Sequence, residues 1–322
     1  MRILVTGGAG YIGSITIKAL QKQGIDAVVF DNLVQGHRDA VSCPLIVGDL
    51  LDREKLFSSL STEHFDGVIH FAAYLQVGES MTNPYKYFQN NIQGGLNLLE
   101  LMKEKKVPYI VFSSTSAIYG TPKVFPVRED EEKKPESVYG ETKLAFEKIL
   151  HWYDAIYGIK SICLRYFNAA GASLDGTLGE RHNPETHIVP VAIHAALAKE
   201  PFLLFGTNYD TPDGTCIRDY IHVEDLAAGH ILALQKLKDT NTSNNYNLGT
   251  GRGYSNLEVL EMIKKISGIN LQINSKPKRT GDLPIIYADN SKAKNELGFN
   301  PQYSDLETIV KTAWEFHSKI KK

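Results

Sequence analysis

The first thirteen residues constrain this chain most. Arg2-Ile3-Leu4-Val5 is a short apolar run, and Thr6-Gly7-Gly8-Ala9-Gly10-Tyr11-Ile12-Gly13 follows it directly. From Tyr11 to Lys22 the apolar residues Ile12, Ile15, Ile17, Ala19 and Leu20 suggest a buried helix, and Gly24 ends the pattern. Strand, glycine-rich turn and helix in that order let the backbone approach a diphosphate. The free N–H groups and the positive dipole end of the helix then face the anion. A unit of this kind at the start of a βαβ arrangement commits the chain to an α/β fold.

The first half repeats the alternation. Residues 27–31, 45–47, 67–71, 109–112 and 161–164 read as strands, with helices over 53–60, about 84–104 and 138–157. Continuous apolar strands separated by helices indicate a parallel sheet covered on both faces. The expected fold is therefore a Rossmann-type, doubly wound parallel sheet. After Asn168 the character changes: 171–187 is rich in Gly, Asp, Glu and His, and 205–216 is similar. These stretches read as functional loops of a smaller C-terminal α/β domain. A helix near 223–238 and a strand over 246–248 would return to the main sheet. The expected division places 1–170 plus about 218–248 in a Rossmann domain, and about 171–217 plus 249–322 in a substrate domain.

Composition narrows the function classes. The chain of 322 residues is 43% apolar and 22% charged, with a net charge of −2. Its one Lys-rich run is the tail Lys319-Ile320-Lys321-Lys322, so no nucleic-acid partner is expected. No apolar stretch approaches the roughly 20 residues needed to span a bilayer, and no membrane association is expected. Cys43, Cys163 and Cys216 are widely spaced with no CxxC, which suggests neither a disulfide framework nor a zinc site. No metal is expected, and the cytoplasm is the expected compartment.

Asp31 ends the second strand, 18 residues past Gly13. A carboxylate there would bind the ribose hydroxyls of NAD and repel the 2′-phosphate of NADP. Two glycine spacings fit the turn: Gly8, Gly10 and Gly13 as GxGxxG, or Gly7, Gly10 and Gly13 as GxxGxxG after Thr6. The next motif favours the second. Tyr139 and Lys143 stand at i and i+4 on one face of a helix. Tyr119 and Lys123 share the spacing, but Gly120 and Pro122 between them exclude a helix interior. Ser113-Ser114-Thr115 ends the preceding strand, where ligands of open α/β sheets bind. A free phenol has a pKa of about 10, and lowering it by about 3 units takes roughly 4 kcal/mol. A nearby ammonium and a positive nicotinamide would both favour the phenolate. A hydroxyl from Thr115 would orient the substrate oxygen.

With these motifs in place the sequence resembles the UDP-glucose 4-epimerase family of the extended short-chain dehydrogenase/reductases, over essentially its whole length. The resemblance runs through the N-terminal turn, Asp31-Asn32-Leu33, Gly48-Asp49, His70-Phe71-Ala72-Ala73, Val77-Gly78-Glu79-Ser80, Asn90-Asn91 and Ser113-Ser114-Thr115. It continues through Tyr139-Gly-Glu-Thr-Lys143, Arg165-Tyr166-Phe167-Asn168, the segment 213–223, Tyr246-Asn-Leu-Gly249 and Arg279-Thr-Gly-Asp282. It implies reversible C4 epimerisation of UDP-glucose and UDP-galactose through a transient 4-ketosugar, with tightly bound NAD, a UDP-hexose substrate in the cleft of the second domain, and a homodimer formed through 84–104 and 138–157. By the same resemblance Gly7, Gly10, Tyr11, Ile12, Gly13, Asp31, Asn32, Asp49, Leu50, Phe71, Ala72, Ala73, Asn90, Lys143 and Phe167 would hold NAD. Thr115, Tyr139, Asn168, Arg218, Arg279 and Asp282 would meet the UDP-sugar, with Tyr139, Lys143 and Thr115 catalytic.

Departures from the family pattern are informative. Leu75 stands where some members carry a Lys, Thr115 replaces a Ser, and Ile15 stands where a His is usual. Ile286 occupies a position that gates sugar size, and a branched aliphatic there leaves N-acetylated sugars open. Related dehydratases place acidic residues just after the strand-end Thr. Here Ser116 and Ala117 follow it, which argues against elimination chemistry.

Overall fold

The computed structural model describes residues 1–278 and 282–320. In chain order, β1 (Arg2–Thr6), α1 (Tyr11–Lys22), β2 (Asp26–Asp31), β3 (Leu45–Val47), α2 (Arg53–Ser59) and β4 (Gly67–His70) come first. Next are α3 (Val77–Ser80), α4 (Pro84–Phe88), α5 (Gly94–Lys105), β5 (Tyr109–Thr115), α6 (Val138–Tyr157) and β6 (Lys160–Tyr166). Then follow β7 (Asn168–Ala170), α7 (Ile188–Ala198), β8 (Phe202–Phe205), β9 (Ile217–Arg218), β10 (Tyr220–His222), α8 (Val223–Thr240) and β11 (Asn244–Leu248). The remainder is β12 (Tyr254–Ser255), α9 (Asn256–Ser267), β13 (Ile273–Lys276), β14 (Ile285–Ile286), α10 (Ser291–Leu297) and α11 (Leu306–Ile320).

Seven strands pair in the order β11-β6-β5-β4-β1-β2-β3, every pair parallel. This is the Rossmann-type sheet the apolar runs indicate. Alternate residues of each strand face opposite sides. Ile3, Val5 and Val29 pack with Ile17 and Leu20 of α1 and Leu226 and Leu234 of α8. Leu4, Val28 and Val68 pack with Leu98 and Met102 of α5 and Phe146 and Leu150 of α6. Ile15, fully buried, sits with Tyr11, Val223 and Ala227 where α1 meets α8, so its departure from His is a packing feature. No helix of the described residues is long and apolar enough to cross a membrane.

The strand order reverses between β1 and β4: from β1 the chain moves outward to β2 and β3, then returns to β4 on the other side. A parallel sheet opens a crevice at the carboxyl ends of its strands at such a point. The turns after β1 and β4 meet there, with Phe71 N and Ala72 N both donating to Thr6 O.

Two regions differ from the sequence pattern. The apolar periodicity over 84–104 reads as one helix, but α4 and α5 are separated by a π turn over Gln89–Gln93. The extra residue per turn leaves the helix axis continuous, so the apolar pattern barely registers it. Beyond β6, strands too short to alternate were not legible. They include β8, which pairs in parallel with β13, and β9, which lies between β12 and β14. A separate core joins α7, α9 and α11 through Val189, Ile193, Val259, Ile263, Ile309 and Val310. Ala293, Leu297 and Phe299, on and just after α10, pack into the core of the large sheet instead.

Candidate active site

The turn after β1 is shaped by what a side chain would strike. Gly7 has φ +71°, and a Cβ there would stand 2.5 Å from Ala72 N. A Cβ on Gly13 would lie 2.4 Å from Gly7 O, and one on Gly8 would run into Val29 and Ile17 between helix and sheet. Gly10 is the N-cap of α1, and no side chain caps that end. The first N–H groups of α1 are thus left without side-chain partners, beside a cavity of about 710 Å³. The large cavity and the turn share Gly7, Gly10, Tyr11, Ile12 and Gly13.

Asp31 is buried at the end of β2. Its Oδ2 accepts from Ala9 N at 3.0 Å and its Oδ1 from Leu33 N at 2.8 Å. Burial raises its pKa, and those two donors oppose the shift. Asp49 accepts from Asn32 Nδ2 at 3.0 Å and from Leu51 N at 2.9 Å. The π turn carries Asn90, which donates to Asn91 Oδ1 at 2.9 Å; Asn91 in turn bonds both the N–H and the carbonyl of Tyr74 and reaches Thr142 Oγ1 on α6. The wider turn thereby ties the loop after β4 to α6. Leu50, Phe71, Ala72, Ala73, Leu75 and Phe167 complete this half of the wall. The Leu75 departure therefore faces the cavity with an apolar side chain.

Tyr139 and Lys143 enter from α6. Ser137 caps that helix, its Oγ accepting from Gly140 N at 3.1 Å. One turn beyond Lys143, Glu147 receives Arg165 of β6 through two bonds of 3.0 and 2.6 Å, and Ser114 Oγ donates to it at 2.5 Å. Both charged side chains are almost fully buried, so this fork pins α6 to the sheet. Lys143 Nζ donates to Ser113 O at 2.7 Å and lies 5.9 Å from the centre of the Tyr139 ring. Tyr119, the other tyrosine with a Lys four residues on, is buried in a short 3₁₀ turn and donates to Asn247 Oδ1 at 2.7 Å. It belongs to the packing around Arg165.

Burial dominates the electrostatics of the pair. It pushes the Tyr139 phenol up to about 12, against the lowering effect of the Thr115 hydroxyl. It pulls Lys143 down to about 7, with Glu147 acting the other way. The sequence-based expectation of an ammonium holding the phenol down does not describe the chain without its cofactor. Lys143 is buried and Tyr139 partly so on the cavity wall, and this loss of water costs each charged form more than the neighbours return.

Asn168, Arg218 and Asp282 line the same cavity, with Ile286. Asn168 Nδ2 donates to Asp219 O at 3.1 Å. Every expected site residue among the described ones lines this cavity; Arg279 lies outside the described residues. Among the wall residues not expected from the sequence are Tyr166, which hydrogen-bonds Ser113, and Glu180, His182 and His187. Only the His- and Glu-rich composition of 171–187 pointed toward the last three.

Comparisons with known proteins point to one family. Residues 3–249 match the model of the NAD dependent epimerase/dehydratase family. The chain is 48% identical to a UDP-glucose 4-epimerase of Lacticaseibacillus casei over 320 residues, covering 98% of this chain and 97% of that one. Among solved structures, it is similar to a UDP-glucose 4-epimerase from Brucella ovis in complex with NAD, at 45% identity, a TM-score of 0.95 and 98% coverage of both chains. It is also similar to one from Bifidobacterium longum in complex with NAD+ and UDP, at 36% identity and a TM-score of 0.94, covering 99% of this chain and 98% of that one.

The electrostatics give a pH-dependent expectation. At pH 10 an ordinary phenol is half ionised. The NAD-free protein should show no phenolate absorbance at that pH attributable to Tyr139, measured as wild type minus Tyr139→Phe. Loading with NAD, whose nicotinamide is positive, should bring that signal out at the same pH. A full Tyr139 phenolate signal at pH 10 in the NAD-free protein would contradict the burial argument.

Proposed function

The chain belongs to the NAD dependent epimerase/dehydratase family, and we propose that it inverts C4 of UDP-glucose and UDP-galactose with Tyr139 as the group that moves the proton. The observation that carries this reading is the cavity itself: one continuous space joins the glycine turn, the Tyr139–Lys143–Thr115 group and the Arg218–Asp282 side.

The residues present fit NAD. Gly7 and Gly13 leave no room for side chains, so the backbone can approach a diphosphate at the uncapped N-terminus of α1. Asp31 offers its remaining lone pairs to ribose hydroxyls and repels a 2′-phosphate. Asn32, Asp49, Leu50, Phe71, Ala72, Ala73, Asn90 and Phe167 would enclose the rest. NAD, when bound, supplies the two-electron oxidant that takes hydrogen from C4 and gives it back.

The chain's own residues do the remainder. Tyr139 Oη takes the proton of the sugar 4-hydroxyl and later returns it. The Thr115 hydroxyl orients that oxygen. Lys143 brings positive charge to the forming phenolate. The Arg218 guanidinium suits phosphate oxygens, and Asp282 suits ribose hydroxyls. Arg279 is proposed for the same end on the sequence resemblance alone. The nucleotide end is thus gripped while the 4-ketosugar turns over and presents its other face. Thr115 is followed by Ser116 and Ala117, and no carboxylate stands there to drive elimination. Residues 1–170 with about 218–248 serve NAD, and the core of α7, α9 and α11 carries the UDP-sugar side.

The chain acts as a homodimer in this reading. Tyr85 and Phe88 on α4 and Trp152 and Ile156 on α6 are large apolar side chains left exposed on neighbouring helices. Free thiols at Cys43, Cys163 and Cys216 suit the reducing cytoplasm.

Two outcomes are expected. UDP-galactose offered without added cofactor should be inverted at C4, followed by NMR, and Tyr139→Phe with NAD retained should slow this by about 10²- to 10⁴-fold. A rate within tenfold of wild type would remove Tyr139 from its role. The solution molar mass should be near twice that of one chain, and Trp152→Glu should lower it; a monomeric wild type would refute the dimer.

A further inference from the structure

Between β7 and α7 the chain brings Glu180, His182, Glu185 and His187 together. One ligand atom from each lies within 4.8 Å of all the others. His182 Nδ1 and His187 Nδ1 stand 2.9 and 2.8 Å from Glu180 Oε1. His187 Nδ1 is also 3.0 Å from Glu185 Oε1, and His182 Nδ1 is 3.8 Å from Glu185 Oε2. The Glu180 and Glu185 side chains are only 4% and 9% exposed. Glu185 Oε2 is buried and has no hydrogen-bond partner.

We propose that these four side chains form a site for one zinc-class divalent cation, independent of the epimerase reading. Two imidazole nitrogens and two carboxylate oxygens are a common ligand set for such an ion. With bonds of about 2.0–2.2 Å, tetrahedral ligand atoms lie roughly 3.4 Å apart. The ion-pair separations of 2.8 to 3.8 Å and the 4.8 Å limit on the whole group bracket that value, so the side chains must draw together around the ion. In the ion-free protein Glu180 and Glu185 hold the His187 imidazole up at about 10, so uptake of such an ion would displace that proton. Arg181, within the same segment, is committed to Asp39. Glu185 Oε2, which now has only the His182 ring at 3.8 Å and no hydrogen bond, gains a ligand bond.

Four protein ligands make a closed, structural site. Its place gives it a use. Glu180, His182, Thr186 and His187 line the cavity, and the His182 ring meets the Tyr11 ring at 6.5 Å. An ion there would fasten the long 171–187 connection, fixing the wall that faces the glycine turn. Cysteine spacing in the sequence does not reveal this group, because its ligands are His and Glu within eight residues of one loop.

The test uses the untagged, NAD-loaded protein, stripped with chelator and then dialysed against Zn2+ or Co2+. The expected result is one ion per chain by elemental analysis, the visible bands of tetrahedral Co2+, and a melting temperature that rises with Zn2+ and falls with chelator. Glu185→Gln and His182→Asn should each weaken binding at least tenfold. No stoichiometric uptake with an unchanged melting temperature would overturn the proposal and leave the cluster as ion pairs. Binding undiminished in the Glu185→Gln/His182→Asn double variant would overturn it equally. If the variants do not fold, the response of the wild-type melting temperature decides.

Discussion

The close approach of the turn after β1 to the turn after β4 is the constraint on which the rest of the structure depends. Gly7 has no room for a Cβ because Ala72 N lies where it would go. That contact exists because the strand order reverses between these two neighbours. The crevice, the uncapped N-terminus of α1 and the wall from Phe71 to Ala73 all follow from the same reversal. The two candidate glycine spacings therefore separate into roles. Gly7 and Gly13 allow the turn to close on itself, Gly8 lets helix and sheet pack, and Gly10 leaves the helix end open.

A second constraint places the chemistry. α6 must present Tyr139 and Lys143 at the carboxyl end of β5. The buried fork of Arg165 on Glu147 does this from one turn away, and breaking such a pair by removing one partner costs about 3–5 kcal/mol. The same burial opposes ionisation of Tyr139. The site is thus poised rather than charged until a cation arrives. In the proposed reading, proton transfer by Tyr139 then depends on occupancy of the rest of the cavity.

Legibility in the sequence followed physical range. The β1 strand, its turn and α6 were readable because their signals are local: an apolar run, glycine spacing, and a Ser137 cap before a helical period. Tyr119 could be set aside on Gly120 and Pro122 alone. The π turn was not readable, since its apolar spacing imitates an uninterrupted helix. The Arg165–Glu147 fork and the meeting of His182 with Glu180 depend on how distant or loop-borne groups converge. No periodicity records that. The short strands β9, β12 and β14 exist only through one another and leave no pattern in isolation.

The central claim is that hydrogen leaves C4 and returns to it inside one continuous cavity, with Tyr139 handling only the proton. The most direct measurement follows UDP-galactose carrying deuterium at C4, converted in ordinary water by the protein as purified with no cofactor added. The account predicts that the UDP-glucose formed retains the deuterium at C4. Replacement of that label by solvent hydrogen would contradict it.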